Sequence, residues 1–139
     1  MADRVLEELG EEECLALIAP GGIGRIAYSS RFGPAVLPVN YVLHNGAVVF
    51  RTAENGPLDV DLRTGIADAD YIVAFEIDSL HLDTKQGWSV LIQGPAHHVA
   101  TADEDALRET GVEPWAPGPR ELYVRMVPSR ITGRRVGPA

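Results

Sequence analysis

The sequence predicts a mainly β domain with two or three small helices, built as a small barrel or sandwich. Three observations carry that expectation. Apolar and polar residues alternate with period two through most of the chain after Gly22. Turn-forming clusters such as Asn45-Gly46 and Asn55-Gly56-Pro57 interrupt the alternation at short intervals. A regular strand–helix–strand rhythm is missing, which argues against a doubly wound nucleotide fold. The 139 residues suit a single domain, 1–139, without repeat or linker.

Taken in order, residues 3–19 read as a helix. Val5, Leu6, Leu9, Leu15 and Ile18 mark an apolar side, and Glu7, Glu8, Glu11, Glu12 and Glu13 a wet one. Gly10 weakens it, with a split into two short turns as the alternative. Pro20-Gly21-Gly22 stops it, so 1–22 is expected to be an N-terminal helical segment. Residues 23–29 form the first strand and 35–43 the next, with Ala35, Leu37, Val39, Tyr41 and Leu43 on one face and Val36, Pro38, Asn40 and Val42 on the other. Pro38 points to an edge or a bulge. Asn45-Gly46 signals a tight hairpin into a strand at 47–52.

Residues 58–64 read as a short helix closed by Gly65, and 71–78 as a cleanly alternating strand. Residues 87–100 form a long strand that Gly94-Pro95 should bend or bulge. Thr101 with Glu104 resembles a capping box for a helix to Thr110. The stretch 113–119, rich in Pro and Gly, is a loop, and 120–139 holds the C-terminal strands.

Composition excludes several functions. The net charge of −8 argues against nonspecific nucleic-acid or anionic-membrane binding, and the nine aromatics do not interleave with Lys and Arg as a base-stacking platform needs. Cys14 is the only cysteine, so neither an intrachain disulfide nor a thiolate cluster can form, and its apolar neighbours suit a buried thiol. His97 and His98 are adjacent in a strand and leave opposite faces, so no metal site is expected. The acidic N-terminus lacks the apolar stretch of a signal peptide, and no run is long enough to span a membrane, so a cytoplasmic protein is expected. "GGIG" at 21–24 precedes a strand rather than a helix and reads as a turn.

Polar residues at strand ends are the candidates for chemistry. Asn40 offers two donors and an acceptor; it is an ordinary edge residue if its face is solvated and a reader of an imide-like edge if that face lines a pocket. Arg51 and Thr52 end a strand before a glycine loop and suit a phosphate grip, though Arg51 alone could be a surface charge. Trp88 is a core plug or a flat wall, and Ser89 adds a hydroxyl.

The order of these elements is more specific than any one of them. "GRIA" at 24–27, "PVNY" at 38–41, "VFRTA" at 49–53, "VAFEID" at 73–78, "GWSVLIQG" at 87–94 and "ITGRR" at 131–135 together resemble the pyridoxamine 5′-phosphate oxidase-like family. The likeness runs over 12–136 and is strongest to short actinobacterial members. It implies a six-stranded antiparallel split β-barrel that forms a homodimer, with FMN at the interface. By that resemblance Val39, Asn40 and Tyr41 run beside the isoalloxazine, Arg51 and Thr52 hold the phosphate, and Trp88 and Ser89 border the flavin bound mainly by the other subunit.

One departure stands out. Relatives carry a lysine after the loop glycine, where this chain reads Gly56-Pro57-Leu58-Asp59. Asp59 would repel a phosphate, Arg63 is the substitute cation further along, and deazaflavin or haem are alternative occupants. The reading is therefore an FMN-dependent oxidoreductase taking a small-molecule substrate and a nicotinamide donor, with a non-catalytic flavin, deazaflavin or haem binder or sensor as the alternative. No side chain stands out as a general acid or base. Generic flavin reduction is favoured over pyridoxamine phosphate oxidation, because Arg130, Arg134 and Arg135 are the only further basic cluster.

Overall fold

The computed structural model describes residues 3–54, 56–62, 71–100, 103–120 and 122–138. Among them are eight strands and three short helices. In chain order these are β1 (Arg4–Leu9), α1 (Glu11–Ile18), β2 (Gly22–Ser30), β3 (Gly33–His44), β4 (Ala47–Thr52), α2 (Pro57–Leu62), β5 (Tyr71–His81), β6 (Gln86–His98), α3 (Glu104–Arg108), β7 (Leu122–Met126) and β8 (Arg130–Pro138). Six strands close into an antiparallel barrel in the order β6-β5-β2-β3-β4-β7, with β7 returning to β6. β8 and then β1 extend the sheet outward from β6. Among the described residues no helix is long and apolar enough to cross a membrane.

The expected helix over 3–19 is corrected in its first half. Residues 4–9 are a strand, paired along their whole length with β8 from Arg4↔Pro138 to Leu9↔Gly133. The local pattern suits a helix, but β8 offers an open edge, and its arginines lie opposite acids at Glu7↔Arg135 and Glu8↔Arg134. Only Leu9 of this strand is buried. Gly10 separates the strand from α1, whose three first-turn glutamates suit the positive end of the helix. Arg135 then reaches back to Glu13 at 2.7 Å.

α1 caps one end of the barrel with Cys14 and Ile18, both fully buried. Burial raises the Cys14 thiol above its ordinary value. Inside the barrel Phe75 is central: it meets Tyr41 edge-on at 5.5 Å and stacks near Phe50 at 6.1 Å. Gly24 faces the Phe75 ring so closely that a Cβ there would overlap it. The hairpin at Asn45-Gly46 forms as expected, with both residues at positive φ.

Gly94-Pro95 proves to be a switch of partner rather than a bulge against β5. The β5–β6 register runs unbroken from Tyr71↔Ala96 to His81↔Gln86. On its other edge β6 pairs with β8 up to Gln93 and with β7 from Ala96. Between them the chain crosses over Gly94 too closely for any side chain there. α3 begins at Glu104 with Asp103 as its cap residue; Thr101 lies outside the described residues.

The outer wall of β2 and β5 carries a charged cluster. Arg25 reaches Asp78 at 3.5 Å and Glu76 at 3.7 Å. Arg130, Arg134 and Glu8 are the other charged groups along the Glu76 groove. Desolvation pushes the Glu76 carboxyl from an ordinary 4.5 up to about 7; the Asp78 carboxylate adds to the rise and Arg25 opposes it. A folded pKa above the unfolded one means that the folded state holds the proton better. Stability from this group is therefore full below about 4.5 and is lost as pH rises towards about 7. Glu76 is partly exposed, so solvent screening reduces the loss to the order of 1 kcal/mol. Urea melts at about pH 5 and about pH 8 should show this fall in the wild type and a flatter dependence in Glu76→Gln. An equal slope in both proteins would remove Glu76 as its source.

Candidate functional site

Incomplete pairing between β3 and β4 creates the opening. β3 pairs with β2 from Gly33 to Tyr41, but with β4 only from Tyr41 to His44. The last shared pair is Tyr41↔Phe50. One step further along this register Asn40 stands opposite Arg51, where the strands have parted. Pro38 lies on the edge thus left free, as its missing N–H requires. Alternation sends Tyr41, Phe50 and Thr52 into the barrel and Asn40 and Arg51 to its outer side.

A segment following α3 covers that outer side. Leu107 and Val112 pack with Val49 and Tyr123 in a second small core outside the barrel. Arg51 lies over the Tyr123 ring, 5.5 Å from its centroid, and donates to the Val112 carbonyl at 3.4 Å. Its Nε is buried without a partner. The Trp115 N–H donates to Asn40 Oδ1 at 2.8 Å, which ties residues 113–120 across the gap as a strap. The amide NH2 of Asn40 has no hydrogen-bond partner among the described residues.

Beneath the strap lies a cleft of about 310 Å³. Ile23, Pro38, Val39 and Pro114 give it apolar walls, and Asn40, Arg51 and Arg120 are its polar groups. Its described lining contains no His, Cys, Asp or Glu. A wider, polar hollow of about 690 Å³ adjoins the other side of Arg51, with Glu54, Glu104 and Glu113 along it. Arg108 in that hollow is neutralised by Glu104 at 3.2 Å and by Asp105. An apolar slot beside guanidinium groups that have no ion-pair partner among the described residues can hold a flat ring that carries an anionic group.

The expected site residues divide into two groups. Val39, Asn40 and Arg51 line the cleft. Tyr41 does not line it: its side chain is buried and its hydroxyl donates to the Ile18 carbonyl at 2.8 Å. Burial pushes that phenol up to about 12, so it stays protonated at neutral pH. Thr52 is buried at the end of β4. Trp88 and Ser89 sit elsewhere on the chain, opposite Ser79 and Asp78 on one side and Arg135 and Arg134 on the other. Arg63 lies outside the described residues. Asp59 does not line the cleft: it is fully buried, with Oδ1 2.6 Å from His98 Nε2, and joins α2 to β6.

Trp115 and Arg120 were not among the residues expected at the site. Their signal is faint, a tryptophan and an arginine within a run of prolines and glycines. Trp115 is 77% exposed, which is unusual for its type.

Comparison with known proteins agrees with this architecture. The family model for pyridoxamine 5′-phosphate oxidase matches residues 10–135, and the chain belongs to that family. An uncharacterised protein of Mycobacterium tuberculosis is 32% identical over 96% of this chain and 87% of its own length. A Corynebacterium glutamicum protein, provisionally called a pyridoxamine 5′-phosphate oxidase, superposes with a TM-score of 0.73 at 30% identity, covering 97% of this chain and 96% of that one. A Mycobacterium smegmatis protein described as FAD-binding gives 0.70 at 29% identity, over 94% and 98% of the two chains. The fold is that of the split barrels.

If Asn40 anchors the strap, Asn40→Ala should leave the barrel intact while freeing the Trp115 amide. Hydrogen exchange at Trp115 is expected to speed up by at least about tenfold, with β5 and β6 amides unchanged. Equal protection of Trp115 in both proteins would show that the strap is held by other contacts.

Proposed function

We propose that this family member is a homodimeric flavin-nucleotide oxidoreductase that holds FMN in the cleft between β3, β4 and the strap. The observation that carries the reading is Arg51: a guanidinium at the open end of β4, with a buried Nε lacking a partner and no carboxylate in ion-pair distance among the described residues. Such a group, beside an apolar slot, fits the phosphate of a ring-bearing cofactor. The free amide NH2 of Asn40 would donate to the polar edge of the ring, and Val39 and Ile23 would pack against its apolar part. The name of the M. smegmatis relative makes FAD the natural comparison ligand.

A second copy of the chain belongs to the same reading. The barrel wall next to the cleft leaves Val36 62% and Ile72 66% exposed. Smaller residues, Ala27 and Ala74, are paired between them on β2 and β5. A partner seated there would cover the apolar wall, and its Trp88 and Ser89 would supply the side of the site that one chain leaves open. The cytoplasmic setting expected for the chain suits its one cysteine, which is free and buried.

A bound flavin supplies the hydride or electron transfer. The residues of the cleft bind and orient, and its described lining holds no His, Cys, Asp or Glu, so no catalytic side chain is assigned. The substrate is a small molecule, with a nicotinamide as donor.

Titration of cofactor-stripped protein with FMN, FAD and riboflavin, followed by flavin fluorescence, tests the binding. FMN is expected to bind at least about tenfold more tightly than riboflavin, and Arg51→Ala to erase most of that difference. Sedimentation of the same samples is expected to give a dimer. Failure of all three flavins to bind would overturn the reading, and absence of turnover of nicotinamide by the flavin-loaded dimer would reduce it to a binding role.

A further inference from the structure

We infer that Arg120, carried on the strap, is the second half of the anion site, so that the cofactor phosphate is held between the barrel and the strap. The inference rests on the flavin reading above and deepens it. Arg51 and Arg120 come from distant parts of the chain and line one cleft of about 310 Å³. Neither has a carboxylate in ion-pair distance among the described residues, although the chain carries a net charge of −8. Arg25, Arg31, Arg108 and Arg135 of the same chain are each paired with an acid. Two uncompensated guanidinium groups beside one small cavity repel each other unless an anion lies between them.

The strap holds Arg120 in place. Trp115 fixes its middle to Asn40, and Gly118 adopts a positive φ of 97°, which turns the chain back on itself. Arg120 then donates through one nitrogen to the Pro117 carbonyl at 2.6 Å. Arg51 likewise donates through one nitrogen to the carbonyl of Val112, the residue just before the strap. A guanidinium has five N–H donors, so both retain donors for a phosphate. Asn40 thus acts as a positioning residue for Arg120 in addition to facing the cleft. Residues 57–59, Pro-Leu-Asp, offer no cation of their own.

The test compares FMN with riboflavin in four proteins: wild type, Arg51→Gln, Arg120→Gln and Arg120→Lys. Arg120→Gln is expected to weaken FMN by about tenfold or more while leaving riboflavin unchanged. Arg120→Lys should retain most of the FMN preference, and inorganic phosphate should displace FMN less effectively from Arg120→Gln than from wild type. Asn40→Ala should lower the FMN preference, and should lower it no further once Arg120 is already Gln. An unchanged FMN preference in Arg120→Gln, with Arg51→Gln impaired, would overturn the inference and leave the flavin reading standing. Equal affinity of the wild type for FMN and riboflavin would overturn the phosphate site as a whole.

Discussion

The site depends on the point at which β3 and β4 stop pairing. Backbone hydrogen bonds hold the two strands together from the hairpin at Asn45-Gly46 as far as Tyr41 and Phe50. Beyond that pair β3 keeps its partner β2 and β4 its partner β7, but the two strands no longer pair with each other. The opening places two outward-facing polar residues, Asn40 and Arg51, at the lip of the gap. Tyr41 secures that lip from within: its ring meets Phe75 and its hydroxyl reaches the end of α1. The aromatic core and the site geometry are therefore coupled through one residue.

The gap would be an exposed edge without the segment that follows α3. Its hold on the barrel is mostly apolar: Val112, together with Leu107 of α3, packs against Val49 and Tyr123. The polar ties are few and fall on the residues that define the cleft. Asn40 Oδ1 accepts from the Trp115 N–H, and Arg51 donates to the Val112 carbonyl.

Charge is distributed to match. Most of the excess acid lies at the N-terminus and along the outer surface, where β1 and α1 meet the arginines of β8. Asp59, which sequence reasoning set against a phosphate, is instead buried against His98 and helps to dock α2. Guanidinium groups with no carboxylate partner among the described residues lie beside an apolar slot in a chain that is acidic overall. Local arrangement, rather than net charge, decides which ligand such a protein can attract.

Much of this was legible in the sequence. Alternation marked the barrel strands, Asn45-Gly46 fixed the hairpin, and the order of short motifs pointed to the split-barrel fold and to Asn40 and Arg51. The first two are local properties, set by side-chain period and turn chemistry; the split barrel and the roles of Asn40 and Arg51 came only with the family resemblance that the motif order carries. What the sequence could not determine involves partners far apart in the chain. Residues 4–9 carry a helical pattern but pair as a strand, because the free edge of β8 satisfies their backbone. Gly94-Pro95 looks like a bulge but marks an exchange of neighbours. Trp115 meets Asn40 across 75 residues, and Arg120 reaches the same cleft only because the strap folds back over it. No local pattern encodes such a contact; it exists because β3 and β4 part beyond Tyr41 and Phe50, and the strap packs across that gap.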